Sequence, residues 1–215
     1  MGPGIPFAKY LTYLRLQMPL GCAIAWLTMT GIGQSQVGVV RVEEDWELEI
    51  SQPDAQLDAP QVVVVFKPFG NESNLSFEID LNHATTPAFQ SGGIQLRVVD
   101  TEQCLSETRL LADQRLTAAL EVVRWTQVGQ RQSNGLVFGI LNGSSDSWGQ
   151  FGGEGSFVIL GGVVPPINYS PENSLQNSGV AYASNRVKRL TLVRVRLYDA
   201  QGRFVSLPVD ASVHQ

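Results

Sequence analysis

Apolar and polar residues alternate with a period of two along much of the chain after residue 36. The clearest segments are 40–50 (VRVEEDWELEI) and 75–81 (LSFEIDL), where apolar side chains recur at nearly every second position. This period places alternate side chains on opposite faces of a β-strand. Both segments are therefore predicted to be strands with one face in a core and the other face outward.

Further β-type segments follow at short intervals, separated by glycine, proline and polar residues. They cover residues 62–67, 94–99, 122–128, 135–141, 157–164, 180–186, 189–198 and 203–207. The dipeptide Asn142-Gly143 predicts a tight hairpin turn, and the polar loop at 168–179 is long enough to line a site. Residues 102–121 fit neither period, so a short helix is one interpretation there. The pattern predicts a single all-β, sandwich-like domain at residues 37–215.

Residues 1–36 have the order of features that is typical of an export signal. Lys9 and Arg15 precede an apolar run at 20–32, and small residues at 33–35 offer cleavage sites. The sequence therefore predicts a signal peptide and an exported protein, which is periplasmic, cell-surface or extracellular.

A membrane anchor and a lipidated cysteine are the two alternatives to a cleaved signal. An uncleaved membrane anchor would need about 20 apolar residues, and the strongly apolar run has 13. Lipidation at Cys22 would need an apolar run before the cysteine, whereas the run here follows it. The prediction is that no stable membrane span is left after cleavage.

Composition narrows the choice of partners and of chemistry. The net charge is −5, and nucleic-acid binders concentrate basic surface instead, so no nucleic-acid partner is expected. After signal cleavage only Cys104 remains, which excludes an internal disulfide and predicts a buried thiol. The sequence contains no zinc spacing, nucleophile elbow, phosphate loop or dinucleotide fingerprint.

Two charge patterns complement each other. The first strand of the domain is predicted to expose Glu43, Glu47 and Glu49, and the last long strand to expose Arg194 and Arg196. Opposite charges on neighbouring strands favour a pairing by roughly 0.2–1 kcal/mol each. We therefore predict that these strands lie antiparallel in one sheet, which makes the charges structural. The alternatives are a cation site at the acids and a free basic patch at the arginines.

Several motifs in order carry a resemblance to known proteins. They are EDWEL, DAPQV, VRWTQ, NGSSDSWGQFGG and GVAYASNRVKRLTLVRVRLYD, spread over most of residues 40–205. In combination they resemble an uncharacterised family of exported proteins from planctomycete-type bacteria. The last motif is also similar to the closing strands of concanavalin A-like and laminin G-like sandwiches. The resemblance implies a two-sheet antiparallel β-sandwich of jelly-roll type and supplies no activity.

The segment 77–83 (FEIDLNH) is the candidate for catalysis. It is similar to the Glu-x-Asp-x-x-Glu strand of retaining β-glucanases, in which the first Glu is the nucleophile and the last the acid/base. Glu78 and Asp80 match the first two positions, but His83 stands at the third. Retaining hydrolysis needs two carboxyl groups about 5–5.5 Å apart. No catalytic residue is therefore assigned, and a glycoside hydrolase is kept as an alternative.

The candidate ligand-binding residues are Asn142, Ser144, Asp146 and Trp148. Sandwich lectins hold sugars with Asp/Asn loops and an aromatic platform, and oxygen-rich loops bind calcium, for which Asp146 is the candidate ligand. No other metal or cofactor is expected. The alternative is a turn capped by Asn, Ser and Asp with Trp148 in the core.

These observations favour an exported, non-catalytic module that binds a polysaccharide or a cell-surface protein. A structural component of the cell envelope or of a surface appendage is the second class, and it predicts exposed sheet edges. A glycoside hydrolase is the third.

Overall fold

The structure is a computed structural model that describes residues 38–51, 60–83, 92–111, 114–116, 118 and 120–214. The predicted signal peptide and Cys22 lie outside the described residues. So do residues 52–59 and the residues from 84 to 91 that follow His83. Within the described ranges, no helix is long and apolar enough to cross a membrane.

The described part of the chain contains twelve β-strands and one α-helix. In chain order they are β1 (Arg41–Ile50), β2 (Gln61–Phe66), β3 (Leu75–Leu81), β4 (Ile94–Asp100), β5 (Gln103–Leu110), β6 (Val122–Gln132), β7 (Gly135–Ser145), β8 (Gly149–Phe151), β9 (Phe157–Gly161), α1 (Pro171–Asn177), β10 (Gly179–Tyr182), β11 (Val187–Tyr198) and β12 (Phe204–His214). A 3₁₀ turn, Ser184–Arg186, precedes β11.

The strands form two antiparallel sheets. The seven-stranded sheet has the order β12-β11-β1-β6-β7-β8, and β9 also pairs with β7; the five-stranded sheet has the order β10-β2-β3-β4-β5. Side chains from both sheets share one core. Phe138 of β7 lies 5.6 Å from the ring of Phe66 on β2 and 5.1 Å from that of Phe77 on β3, measured between centroids. The predicted two-sheet antiparallel β-sandwich is therefore confirmed.

The predicted pairing of the charged strands is also confirmed. β1 is antiparallel to β11, with Glu43 opposite Arg196, Asp45 opposite Arg194 and Glu49 opposite Arg189. The other edge of β1 pairs with β6, so β1 lies inside the sheet. Its even-numbered apolar residues join the core, and its odd-numbered charged residues point outward.

The predicted hairpin turn at Asn142-Gly143 is wrong. Both residues lie within β7, and the chain turns at residues 133–134 and 146–148 instead. Gly143 is required for packing, because a Cβ at this position would lie 2.2 Å from the ring of Phe151. Close contact between neighbouring strands therefore explains the glycine, and the local turn preference of Asn-Gly is overridden.

The interpretation of residues 102–121 as including a helix is wrong for the described residues, which contain strand β5. β5 is the edge strand of its sheet and is largely exposed, so its side chains have little need for an apolar pattern. Cys104 on this strand is exposed and not buried as predicted. The polar loop at 168–179 contains helix α1, which begins with Pro171, a residue whose fixed φ suits the first helical position.

Candidate functional site

Two of the three candidate catalytic residues, Glu78 and Asp80, lie on β3, and His83 lies two residues beyond its end. Glu78 and Asp80 are on the outward face of the five-stranded sheet, and Arg97 of the neighbouring strand β4 approaches both. Its Nη2 lies 2.7 Å from Glu78 Oε2 and 2.8 Å from Asp80 Oδ2. The arginine thus lies between the carboxylates, where a retaining glycosidase would place the reacting sugar carbon.

Burial dominates the protonation of this group. It raises the pKa of Glu78 and raises that of Asp80 to about 7, although the charge of Arg97 opposes both shifts. Burial also lowers the pKa of His83, and the charges of Arg109 and Arg97 act in the same direction. A neutral imidazole is a poor replacement for the missing carboxylic acid. The geometry supports an ion-paired cluster of Arg97 with Glu78 and Asp80.

The candidate ligand-binding residues are divided between two environments. Asn142 and Ser144 are on β7 and share the outward face of the seven-stranded sheet. Trp148 is buried against Phe151 in an edge-to-face contact of 5.7 Å, and its indole N–H donates to the carbonyl oxygen of Gln114 at 3.1 Å. Trp148 therefore belongs to the core, which was the alternative, and its ring is not presented as a platform for sugars.

Asp146 lies at the exposed tip of the turn between β7 and β8. The neighbouring Ser145 uses its hydroxyl to accept the backbone N–H of Trp148 at 2.9 Å, which is a turn-capping role. Among the described residues, no group of three or more His, Cys, Asp or Glu side chains is arranged to hold a metal ion.

A groove of about 440 Å³ lies on the outward face of the seven-stranded sheet and crosses β11, β1, β6, β7 and β8. The polar residues that line it are Asp45, Glu47, Arg124, Thr126, Asn142, Ser144, Gln150, Arg194 and Arg196. Trp46 and Trp125 form part of the floor, with their rings buried on the core side and stacked 6.3 Å apart.

The neutral end of the groove is built by three adjacent strands. Ser144 on β7 lies opposite Arg124 on β6 and opposite Gln150 on β8. Asn142, two residues from Ser144, shares its face of the strand. Within the described residues, the side chains of Asn142, Ser144 and Gln150 make no hydrogen bond to the protein. Their amide and hydroxyl groups are therefore available to a ligand as donors and acceptors.

The charged end of the groove consists of ion pairs across β11, β1 and β6. Arg196 donates to Glu43 at 2.6 Å and to Asp45 at 2.7 Å, Arg194 approaches Asp45 at 2.7 Å, and Arg124 approaches Glu47 at 2.7 Å. We call the four outward acids of β1 and the bases paired with them the charge ladder. It comprises Glu43, Asp45, Glu47, Glu49, Arg41, Arg124, Lys188, Arg189, Arg194 and Arg196.

The ion pairs decide the protonation of the ladder acids. Burial acts to raise the pKa of Glu43 and of Asp45, but hydrogen bonds from arginines outweigh it and lower both values. Hydrogen bonds from Lys188 and Arg189 lower the pKa of Glu49. The pKa of Arg196 is raised by its bonds to Asp45 and Glu43. The carboxyl groups of Glu43, Asp45 and Glu49 are therefore ionised at neutral pH and hydrogen-bonded to their basic partners.

A buried carboxyl group lies on the opposite side of β1. Glu44 points into the core, where it accepts hydrogen bonds from Trp46 Nε1 at 2.8 Å, Gln127 Nε2 at 2.5 Å, Tyr169 Oη at 2.5 Å and Ser174 Oγ at 2.5 Å. Burial raises the pKa of Glu44, and the four donors oppose the shift. The loop at 168–179 thus supplies two donors to the core.

Sequence reasoning named Asn142 and Ser144 but missed Arg124 and Gln150 as parts of the same surface. Arg124 could have been found from the alternation in VRWTQ, which places it on the face opposite Val123 and Trp125. Gln150 becomes a neighbour only through the pairing of β7 with β8, and no local pattern predicts that pairing.

Comparison with known proteins adds little detail. No protein-family model and no curated protein sequence matches the chain. Among solved structures, the crystal structure of the ancestral congerin Con-anc is similar, with a TM-score of 0.30 and 12% sequence identity. The match covers 80% of this chain and 93% of that one.

Proposed function

We propose that the protein is a carbohydrate-binding module whose site is the groove on the outward face of the seven-stranded sheet. The observation that carries this proposal is the juxtaposition of three unpaired neutral side chains, Asn142, Ser144 and Gln150, with fixed ion pairs in one groove. A sugar presents many hydroxyl groups that both donate and accept hydrogen bonds, and amide and hydroxyl groups complement them.

Preorganisation supports the same conclusion. The acids of the ladder and Arg196 are ion-paired at side-chain exposures of only 7% to 18%, and the stacked rings of Trp46 and Trp125 lie beneath them. At the charged end of the groove a ligand therefore has few of these side chains to immobilise, which lowers the entropic cost of binding there. The aromatic residues among those that line the groove are buried, so polar contacts would provide the recognition. Export, which residues 1–36 predict, is part of the proposal because extracellular glycans are the ligands envisaged.

The test is binding of the full-length chain to a glycan array, followed by calorimetric titration with the best ligand. Asn142→Ala and Gln150→Ala should each weaken binding about tenfold, which corresponds to the loss of one or two hydrogen bonds. Gln103→Ala is the matched control, because Gln103 is also exposed and lies on β5 of the other sheet. Equal affinity for all variants, or no glycan bound by the wild type, would contradict the proposal.

A second candidate is an assembly role, which rests on the free edge of the seven-stranded sheet. β12 is its outermost strand and leaves Phe204 and Val205 more than half exposed. Two features of β12 argue against assembly through this edge: Pro208 and an irregularity in its pairing with β11. Prolines and bulges of this kind protect sheet edges from pairing with another chain. Light scattering over a range of concentrations tests it: assembly predicts a rising mass that Phe204→Ser abolishes, and a constant monomer mass would exclude it.

A further inference from the structure

We propose that the carbohydrate bound at this face is anionic, a linear polysaccharide that carries carboxylate or sulfate groups. This inference rests on the proposed function and specifies its ligand. The observation that leads to it is the balance of charge in the ladder. Four acids of β1 face six bases, a surplus of two positive charges, on a chain whose net charge is −5.

The acids and the bases of the ladder also differ in how far they are exposed to solvent. The acids form the lower layer: between 7% and 18% of each of their side chains is exposed. Four of the bases rise above them, with exposures of 62% for Arg124, 72% for Lys188, 47% for Arg189 and 52% for Arg194. A ligand that approaches this face therefore meets cationic groups first, while the carboxylates are directed at their basic partners.

The shape of the ladder favours a polymer over a small anion. The ladder acids extend from Glu43 to Glu49 along β1, a distance of about 20 Å at roughly 3.4 Å per residue. The exposed bases flank this line, on β6 at one side and on β11 at the other. A chain with repeated negative charges can contact several of them at once, and guanidinium groups are well suited to carboxylate and sulfate oxygens.

The neutral end of the groove distinguishes a polysaccharide from other polyanions. Asn142, Ser144 and Gln150 continue the surface beyond Arg124 and offer contacts for uncharged hydroxyl groups. Single-stranded nucleic acid would be expected to stack its bases on exposed aromatic rings. The tryptophans that line the groove are buried instead.

The experiment is calorimetric titration of the full-length chain with an oligogalacturonate and with its methyl ester, which has the same backbone without the charge. A sulfated oligosaccharide of similar length separates sulfate from carboxylate recognition, and a single-stranded oligonucleotide tests for unspecific polyanion binding. We expect at least tenfold tighter binding of one acidic glycan than of the neutral ester, and a steep loss of affinity at high salt.

Substitutions of single bases test whether the acidic glycan binds at the charge ladder. Arg124→Gln and Lys188→Gln should each weaken binding of the acidic glycan by about threefold to tenfold. Arg109→Gln is the charge-matched control, since Arg109 is half exposed on the other sheet and pairs with Glu107. Equal affinities for these three variants, or equal binding of oligonucleotide and acidic glycan, would overturn the inference.

The two proposals fail in different ways. If the neutral ester or another uncharged glycan binds as tightly as the acid and Asn142→Ala weakens it, the groove binds carbohydrate and the anionic inference is wrong. If no glycan of either kind binds, both proposals are wrong.

Discussion

At the scale of single residues, Glu44 is a carboxyl group fully enclosed by protein and surrounded by four hydrogen-bond donors. A buried polar group is tolerated when its partners satisfy it and is costly when it is left alone. Two of the donors, Trp46 and Gln127, come from strands of the seven-stranded sheet. The other two, Tyr169 and Ser174, come from the segment at 168–179. Glu44 therefore links that segment to the sheet.

We predict that Glu44→Leu destabilises the fold by about 3 kcal/mol, because the N–H groups of Trp46 and Gln127 lose their acceptor in the core. Glu44→Gln should cost less than about 1 kcal/mol. Its oxygen can accept the two N–H groups, and the hydroxyls of Tyr169 and Ser174 can rotate to accept its amide. Urea unfolding of both variants checks the difference. Equal stability of the Leu variant and the wild type would contradict this role.

Asp80 gives a pH-dependent prediction. Its pKa is raised to about 7 by burial, so the folded state holds its proton more tightly than the unfolded chain. The associated stability is present below about pH 4, the ordinary pKa of Asp, and is lost as the pH rises through about 7. The stability of the wild type relative to Asp80→Asn should therefore fall between pH 4 and pH 8.

Urea unfolding at several pH values measures this difference. Asp210→Asn is the control, because Asp210 is exposed and lies at a positive φ that Asn also tolerates. A difference between the wild type and Asp80→Asn that stays constant or grows with pH would show that Asp80 is not buried as described.

At the scale of strands, the period of two was a reliable guide wherever one face of a strand is in the core. Segment 75–81 coincides with β3, and segment 40–50 with β1 to within one residue. The pattern failed at β5, an edge strand whose largely exposed side chains need not alternate. The Asn-Gly signal failed within β7 because a dipeptide does not reveal that Phe151 will cover Gly143. Local preferences are overridden where tertiary packing demands another conformation.

We predict that Gly143→Ala destabilises the fold by about 1–3 kcal/mol, because the new methyl group would overlap the Phe151 ring. Gly161→Ala is the control. No atom lies within 4 Å of its Cβ position, so its effect should be within about 0.5 kcal/mol. Thermal and urea unfolding provide the measurement. Similar stabilities for the two variants would mean that β7 and β8 do not pack as closely as described.

At the scale of the whole molecule, the charge ladder joins strands that are distant in sequence and forms the charged end of the groove. The complementary charges of β1 and β11 were enough to predict their pairing. The groove could not be predicted in the same way, because it also needs β6, β7 and β8 beside them. Asn142 and Ser144 were named from the local motif NGSSDSW. Their neighbours Arg124 and Gln150 followed only from the register of the complete sheet.

We predict that the arginines of the ladder differ in how much they contribute to the stability of the fold. Arg196 is mostly buried and contacts Glu43 and Asp45, so Arg196→Gln should cost about 2 kcal/mol because two carboxylates lose a partner. Arg124 is exposed and, among the acids of the described ranges, pairs with Glu47 alone. Arg124→Gln should therefore change stability by less than about 0.5 kcal/mol. Urea unfolding at low and high salt checks both values; equal effects would contradict the two-layer description of the ladder.

The most direct test of the central claim is to map the bound glycan on the protein by NMR, with amide chemical-shift changes followed during titration of the labelled protein. If the groove is the site, the changes should concentrate in β1, β6, β7, β8 and β11, with large shifts at Asn142, Ser144 and Gln150. Changes confined to β3 and β4, around Glu78 and Asp80, would contradict the account, and so would changes that the Arg124→Gln variant leaves unaltered.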